Sequence, residues 1–117
     1  MSKLVGENTL MRIFIGESDR FQGQPLYEAL VEMFRKEGFA GATVIRAVSG
    51  FGAHSVYHTQ KLLTLSSDLP LVVEVVDSQT KINAAMPRID AMMGGGMITL
   101  ENVRVIRYSP DENKTKT

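Results

Sequence analysis

Cysteine is absent from the 117 residues, which excludes disulfides, thiolate nucleophiles and cysteine-ligated metal. Neither sign of charge is in surplus: 13 Lys and Arg stand against 13 Asp and Glu. No general electrostatic pull therefore draws the chain to nucleic acid or to a membrane surface. No apolar run approaches the roughly 18 residues of a membrane span. The leading MSKLVGENTL lacks the apolar stretch of a signal peptide. There is no Gly-x-Ser-x-Gly elbow, and no acidic partner is marked for either of the 2 histidines. Without a catalytic constellation, the chain does not read as an enzyme. A cytoplasmic location suits these absences.

The 117 residues suffice for one domain with a modest core. Residues 1–8 read as a flexible lead-in, 9–108 as the domain and 109–117 as a polar tail. Thr9 to Ile15 is rich in β-branched and apolar residues and stops at Gly16, which predicts a strand. Glu17 to Gln24 reads as a loop. Pro25 suits a first helical position, Leu26, Leu30, Val31 and Phe34 follow at helical spacing, and Gly38 stops the helix. Ala42 to Val48 and Leu71 to Val76 are the next two strands. Asp77 or Ser78 caps a second helix striped by Ile82, Ala85, Met86, Ile89 and Met93, with Pro87 set to kink or loosen it. Val103 to Tyr108 is the last strand, with Met97 to Leu100 as a separate extended piece. Two successive β-α-β units predict an α+β fold: a ferredoxin-like βαββαβ plait, with a four-stranded antiparallel sheet and both helices on one face.

Alternation along the strands assigns the two faces of that sheet. Met11, Ile13, Ile15, Thr43, Ile45, Ala47, Leu71, Val73, Val75, Val103 and Val105 would face the helices. The other face would carry Leu10, Phe14, Val44, Val48, Val72, Val76, Ile106 and Tyr108, with Arg12, Arg46, Glu74 and Arg104 as one charge per strand. Eight large apolar residues form a patch that monomers rarely leave bare, so the face predicts a homo-oligomer.

Ser49 to Pro70 is longer than the roughly 12–15 residues usual for a connection in a compact domain, which marks it as functional. It opens with SGFGAHSVYHT, holding Gly50, Phe51 and Gly52 and both histidines. His54 and His58 form a candidate metal pair needing further ligands, for which Glu17, Asp19, Asp68 and Asp77 are available. The plainer reading is a turn with positive φ at glycine and histidines bonded to backbone or solvent. Gly94, Gly95 and Gly96 present consecutive backbone N–H groups, a nest for an anion, or else a simple helix stop. Arg46, Arg88, Arg104 and Arg107 are candidate sources of charge. The methionines read as core filler.

GFGAHSVYHT, LSSDLPLVVEVVD and the leading RIFIGE, within a match covering about Met11 to Tyr108, resemble an uncharacterised PII-like family in the PII and divalent-cation-tolerance superfamily. The resemblance implies trimers with their sheets turned inward. It also implies adenine-nucleotide sites in clefts between subunits. These sites are made by the base of the connection after the second strand and by a glycine loop before the last strand. Here those are residues 49–70 and Gly94 to Met97. The resemblance further implies a sensor that acts on a partner protein through residues 49–70. On this basis the candidate ligand residues are Gly50, Phe51, Gly52, His58, Gly94, Gly95, Gly96, Arg46 and Arg104, with Phe51 or Tyr57 able to stack on a base. The GGGM loop carries no lysine or arginine, and no tyrosine-modification motif is recognisable around Tyr57.

Overall fold

The structure, a computed structural model, describes residues 3–52 and 68–108. Among these residues, six strands and two helices follow one another as β1 (Lys3–Gly16), β2 (Arg20–Phe21), β3 (Gln24–Pro25), α1 (Leu26–Lys36), β4 (Thr43–Arg46), β5 (Pro70–Asp77), α2 (Gln79–Met92) and β6 (Met97–Tyr108). The main sheet has the order β4-β5-β1-β6, antiparallel throughout. That is the ferredoxin-like arrangement, with two crossover helices on one face.

The core follows from the two periodicities. Met11, Ile13 and Ile15 of β1 and Leu71, Val73 and Val75 of β5 alternate onto one face of the sheet. Leu26, Ala29, Leu30, Met33 and Phe34 of α1 and Ile82, Ala85 and Ile89 of α2 supply the matching helical stripes. Phe34 meets Phe39 edge to face, with ring centroids 4.9 Å apart.

The helix ends are chemically specified. The amide of Gly38 donates to the Arg35 carbonyl and that of Phe39 to the Phe34 carbonyl, with Gly38 at φ 80°, a Schellman stop. Ser78 caps α2, its hydroxyl accepting from the Lys81 amide. Ser78→Ala should lower stability by about 1 kcal/mol, the usual loss for such a cap; chemical denaturation would measure it, and an unchanged midpoint would show the cap to be idle.

Several expectations are corrected. Pro25 is the N-cap of α1 rather than its first helical residue, and it also pairs with Arg20. The segment expected as a loop holds a small hairpin, because Gln22 and Gly23 both have positive φ, 49° and 83°, as a two-residue turn requires. α2 runs on through Pro87, where a kink or loosening is expected, and the buried Ile82, Ala85 and Ile89 hold it on the sheet on both sides. Met97 to Tyr108 is one strand, paired in register with β1 from Phe14–Met97 to Lys3–Tyr108. The expected lead-in over residues 1–8 is strand from Lys3 onward for the same reason.

The faces of the two edge strands are also reversed from expectation. Val44 lies beside Val73 and Arg46 beside Leu71, on the helix side, while Thr43 and Ile45 lie beside Glu74 and Val72. In β6, Val103 and Val105 pair with Asn8 and Gly6 and share the open face with Arg12; Arg104 and Ile106 turn the other way. The open face thus carries Leu10, Phe14, Val72, Val76, Ile45 and Met97 around one charged group. Arg12 donates from Nε to Glu74 at 2.8 Å and from Nη1 to Glu101 at 2.7 Å. Its guanidinium pKa is raised, first by the hydrogen bond to Glu74.

Candidate functional site

Three segments gather at the end of the sheet where β1 and β4 finish and β5 and β6 begin. They are residues 16–19, the two roots of the 49–70 connection, and the glycine loop 94–96. Backbone pairing sets this placement, since Gly16 pairs with Pro70, Arg46 with Leu71, and Phe14 with Met97.

Glu17 fastens both roots of the connection. Its Oε2 accepts from Arg46 Nε at 3.0 Å and its Oε1 from Arg46 Nη2 at 3.1 Å, a bidentate pair. The same Oε1 accepts from the Leu69 amide at 3.4 Å, and the Glu17 amide donates to the Leu69 carbonyl at 2.8 Å. Beside it, the Ser18 amide and hydroxyl both donate to Asp68 Oδ1, and the Gly16 amide donates to Asp19 Oδ2 at 2.9 Å. The Ala47 amide completes the closure with a 2.9 Å bond to the Pro70 carbonyl. Sequence reasoning missed this clasp. Glu17 and Arg46 are 29 positions apart, so no local spacing could have paired them.

Gly50 has φ 140° and lies against Pro70, where an added Cβ would come within 3.4 Å of Pro70 Cγ. The positive φ agrees with the turn reading. Phe51 follows with 69% of its surface exposed. His54, Tyr57 and His58 lie outside the described residues, and so do the contacts their roles would need. Among the described residues, no group of three or more His, Cys, Asp or Glu is placed to hold a metal ion. Of the further ligands considered, Asp77 is at the opposite end of β5 from Asp68.

In the glycine loop the three residues are not equivalent. Gly96 has φ 96°, and a Cβ there would stand 2.3 Å from the Phe14 carbonyl oxygen. Gly94 has no atom within 4 Å of the corresponding position. One glycine is thus required by packing, and the first offers open backbone at the end of α2.

Arg46 and Arg104 do not meet. They lie on opposite edge strands, Arg46 held by Glu17 and Arg104 opposite Glu7. Arg104 stands roughly 23 Å along β6 from Met97 at about 3.3 Å per residue. Arg88 pairs with Glu37 at 3.0 Å on the helix layer. The two glycine-bearing segments are themselves on opposite edges, three strand spacings or about 14 Å apart.

A family model described as "Uncharacterized ACR", DUF190, matches residues 8–105. The chain belongs to the DUF190 family. A "UPF0166 protein" of Aquifex aeolicus is 41% identical to this DUF190 chain over 102 residues, 87% of this chain and 96% of that one. Another from Methanocaldococcus jannaschii is 28% identical over 99 residues, covering 84% and 91%. Among solved structures, the fold is similar to CPII of Thiomonas intermedia K12, bound to ADP and bicarbonate. The TM-score is 0.58 and the identity 14%, with 87% of this chain and 91% of that one covered. A PII-like signalling protein of Thermus thermophilus gives a TM-score of 0.59 at 18% identity, covering 86% and 91%. This DUF190 chain therefore has a PII-like fold, as its sequence motifs imply. No helix among the described residues is long and apolar enough to cross a membrane.

Proposed function

We propose that the protein is a cytoplasmic homotrimeric sensor. It binds a small anionic ligand, an adenine nucleotide first among candidates, in clefts between subunits, and acts on a partner protein through residues 49–70. The supporting observation is the separation of the two glycine-bearing segments. They sit at the same end of the sheet but on opposite edges, so one copy cannot close both around a small ligand. A neighbouring copy can bring its glycine loop to the Gly50–Gly52 root. The open face, with its apolar residues around the ion-paired Arg12, Glu74 and Glu101, suits burial between such copies. The ADP in CPII, a protein of the same fold, supports the choice of ligand class.

In this reading the backbone amides of Gly94 and Gly95 face the phosphates, in a loop that carries no lysine or arginine. Phe51 and Tyr57 are the candidates to stack on a base, and His58 to hydrogen-bond it. Arg46, held bidentately, orders the root of the connection. Arg104, too far along β6 to serve the glycine loop of its own copy, contributes only where another copy's site comes to it.

The test is thermal unfolding of metal-stripped protein against adenine nucleotides and divalent metals. A nucleotide at ~100 times its dissociation constant should add about 2.7 kcal/mol of stability. Gly94→Asp adds a carboxylate in open space and should abolish that gain while leaving the unliganded midpoint nearly unchanged. A gain that survives Gly94→Asp removes the glycine loop from the site. A gain with copper or zinc alone moves the site to His54 and His58.

A further inference from the structure

The glycine loop follows the C-terminus of α2, where the last carbonyls form the negative end of the helix dipole. No basic residue stands in the last turn of α2 to offset it. The open backbone of the loop is also short. Gly94 meets no atom within 4 Å, but by Gly96 the chain is pressed against the Phe14 carbonyl oxygen. Gly94 and Gly95 are left to offer their amides, a nest for one phosphate group.

The end of the sheet around this loop is acidic. Among the described residues of the clasp and the two roots, Glu17, Asp19 and Asp68 stand against Arg46 as the single Lys or Arg. Arg46 is already shared bidentately with Glu17. Asp19 and Asp68 converge on Gly16, where an added Cβ would lie 3.2 Å from an Oδ1 of each. Gly16 is only two residues along β1 from Phe14, on which Gly96 rests, a step of about 7 Å. Arg20, next to Asp19, donates to the Gly23 carbonyl at 2.7 Å in its own hairpin. The connection itself holds one further cation, Lys61, which lies outside the described residues; it offsets one carboxylate and leaves a surplus.

Tyr27 registers the same field. Its hydroxyl pKa is raised, first by the hydrogen bond to Glu28, then by the charge of Glu28, by burial and by the charge of Glu17. Glu28 is in the first turn of α1, whose leading amide, on Leu26, is bonded to the Asp19 carbonyl. A cleft between copies meets these acids twice, once behind the glycine loop of one copy and once at the root of the other.

We propose that the cleft is a single-phosphate site, which takes an adenine nucleoside monophosphate and discriminates against ATP through the carboxylates of Asp19 and Asp68. The inference rests on the nucleotide reading above and narrows it. A monophosphate carries about 1.5 to 2 negative charges at pH 7, and each further phosphoryl group adds to that. Polyphosphate sites meet such charge with lysine, arginine and Mg²⁺. Here two or three backbone amides at a helix C-terminus must hold the anion, beside a guanidinium already in use. Every added phosphate therefore brings more repulsion from Asp19 and Asp68 and no new partner. Base and ribose are common to AMP and ATP, so the comparison isolates the phosphates.

Isothermal titration of the purified native chain with AMP, ADP and ATP, first without Mg²⁺, tests this. AMP should bind at least tenfold more tightly than ATP, with ADP between them. Raising the ionic strength should narrow the gap, because the acids act across a partly solvated cleft. Asp19→Asn keeps an oxygen to accept the Gly16 amide and removes one charge; it should raise the affinity for ATP severalfold more than that for AMP. Gly94→Lys places a cation where no atom lies within 4 Å and should bring ATP level with AMP or above it. ATP bound as tightly as AMP by the native chain overturns the proposal and leaves the nucleotide site standing. A gap that salt, Asp19→Asn and Gly94→Lys all leave untouched also overturns it, since shape rather than charge would then exclude ATP. If no nucleotide binds, the nucleotide reading falls and this preference falls with it.

Discussion

Gly96→Ala should lower the thermal midpoint by roughly 10 °C or more, the equivalent of about 3 kcal/mol in a domain of this size. Two costs add. A φ of 96° is strained for any residue with a Cβ. The new methyl would also lie 2.3 Å from the Phe14 carbonyl oxygen. That carbonyl cannot retreat cheaply, because Phe14 is in the middle of the sheet, paired with Val72 on one side and Met97 on the other. Gly94→Ala is the matched control. It meets no atom within 4 Å and should change stability by no more than about 0.5 kcal/mol. Differential scanning fluorimetry of the two variants separates packing from ligand chemistry in a loop where all three glycines look alike in the sequence. Equal midpoints would mean that the tight approach to β1 does not exist.

Phe34→Ala should cost about 3–5 kcal/mol, the range for emptying a fully buried aromatic site. Phe34 has no exposed surface, sits in the main core cluster and forms the edge-to-face pair with Phe39. The loss extends beyond the cavity. The carbonyl of Phe34 receives the Phe39 amide in the helix stop, and Phe39 in turn packs against the core cluster. Urea denaturation should show a large drop in midpoint. Phe34→Leu, which keeps most of the volume, should recover a substantial part of it. A loss below about 1 kcal/mol would contradict the assigned burial.

The sequence discloses the fold wherever burial and periodicity act together. Met11, Ile13 and Ile15, and Leu71, Val73 and Val75, alternate because a helix layer covers them, and α1 and α2 carry stripes for the same reason. Alternation misleads where that cover ends. Thr43, Val44, Ile45 and Arg46 are all exposed on an edge strand, so their order carries little information about which side is inside. Val103, Arg104 and Val105 alternate apolar and charged in a stretch paired with residues 6–8, past the end of β5. Their register is set by pairing with β1, and analogy with a core that is not there puts the valines on the wrong face. The lead-in is hidden in a similar way: Gly6 and Asn8 weaken a strand signal, yet backbone pairing to β6 holds them in one.

For the candidate site, the glycines are legible because only glycine readily takes the required backbone. Gly50 and Gly96 both have positive φ, and the sequence singles out both loops. Their partners are not legible. Glu17, Ser18 and Asp68 are brought together only by the β1–β5 and β4–β5 registers, and nothing in the local composition of GESDR or SSDLP marks them. The distance between Arg46 and Arg104 within one copy is hidden in the same way: β4 and β6 are the two opposite edges of the sheet, an order that local sequence does not carry.

Glu17's hold on both roots has a consequence for what residues 49–70 can become. Ala47 and Pro70 are already hydrogen-bonded neighbours, so the chain between them closes on itself before its own length matters. Doubling a flexible connection adds only about 0.6 kcal/mol of closure entropy. Segments of different length and chemistry can therefore be exchanged between these two anchors at nearly constant stability. Under the proposed function, the fold would be a fixed socket for a replaceable recognition element, and new partner specificity would arise there by insertion without any compensating change in the core.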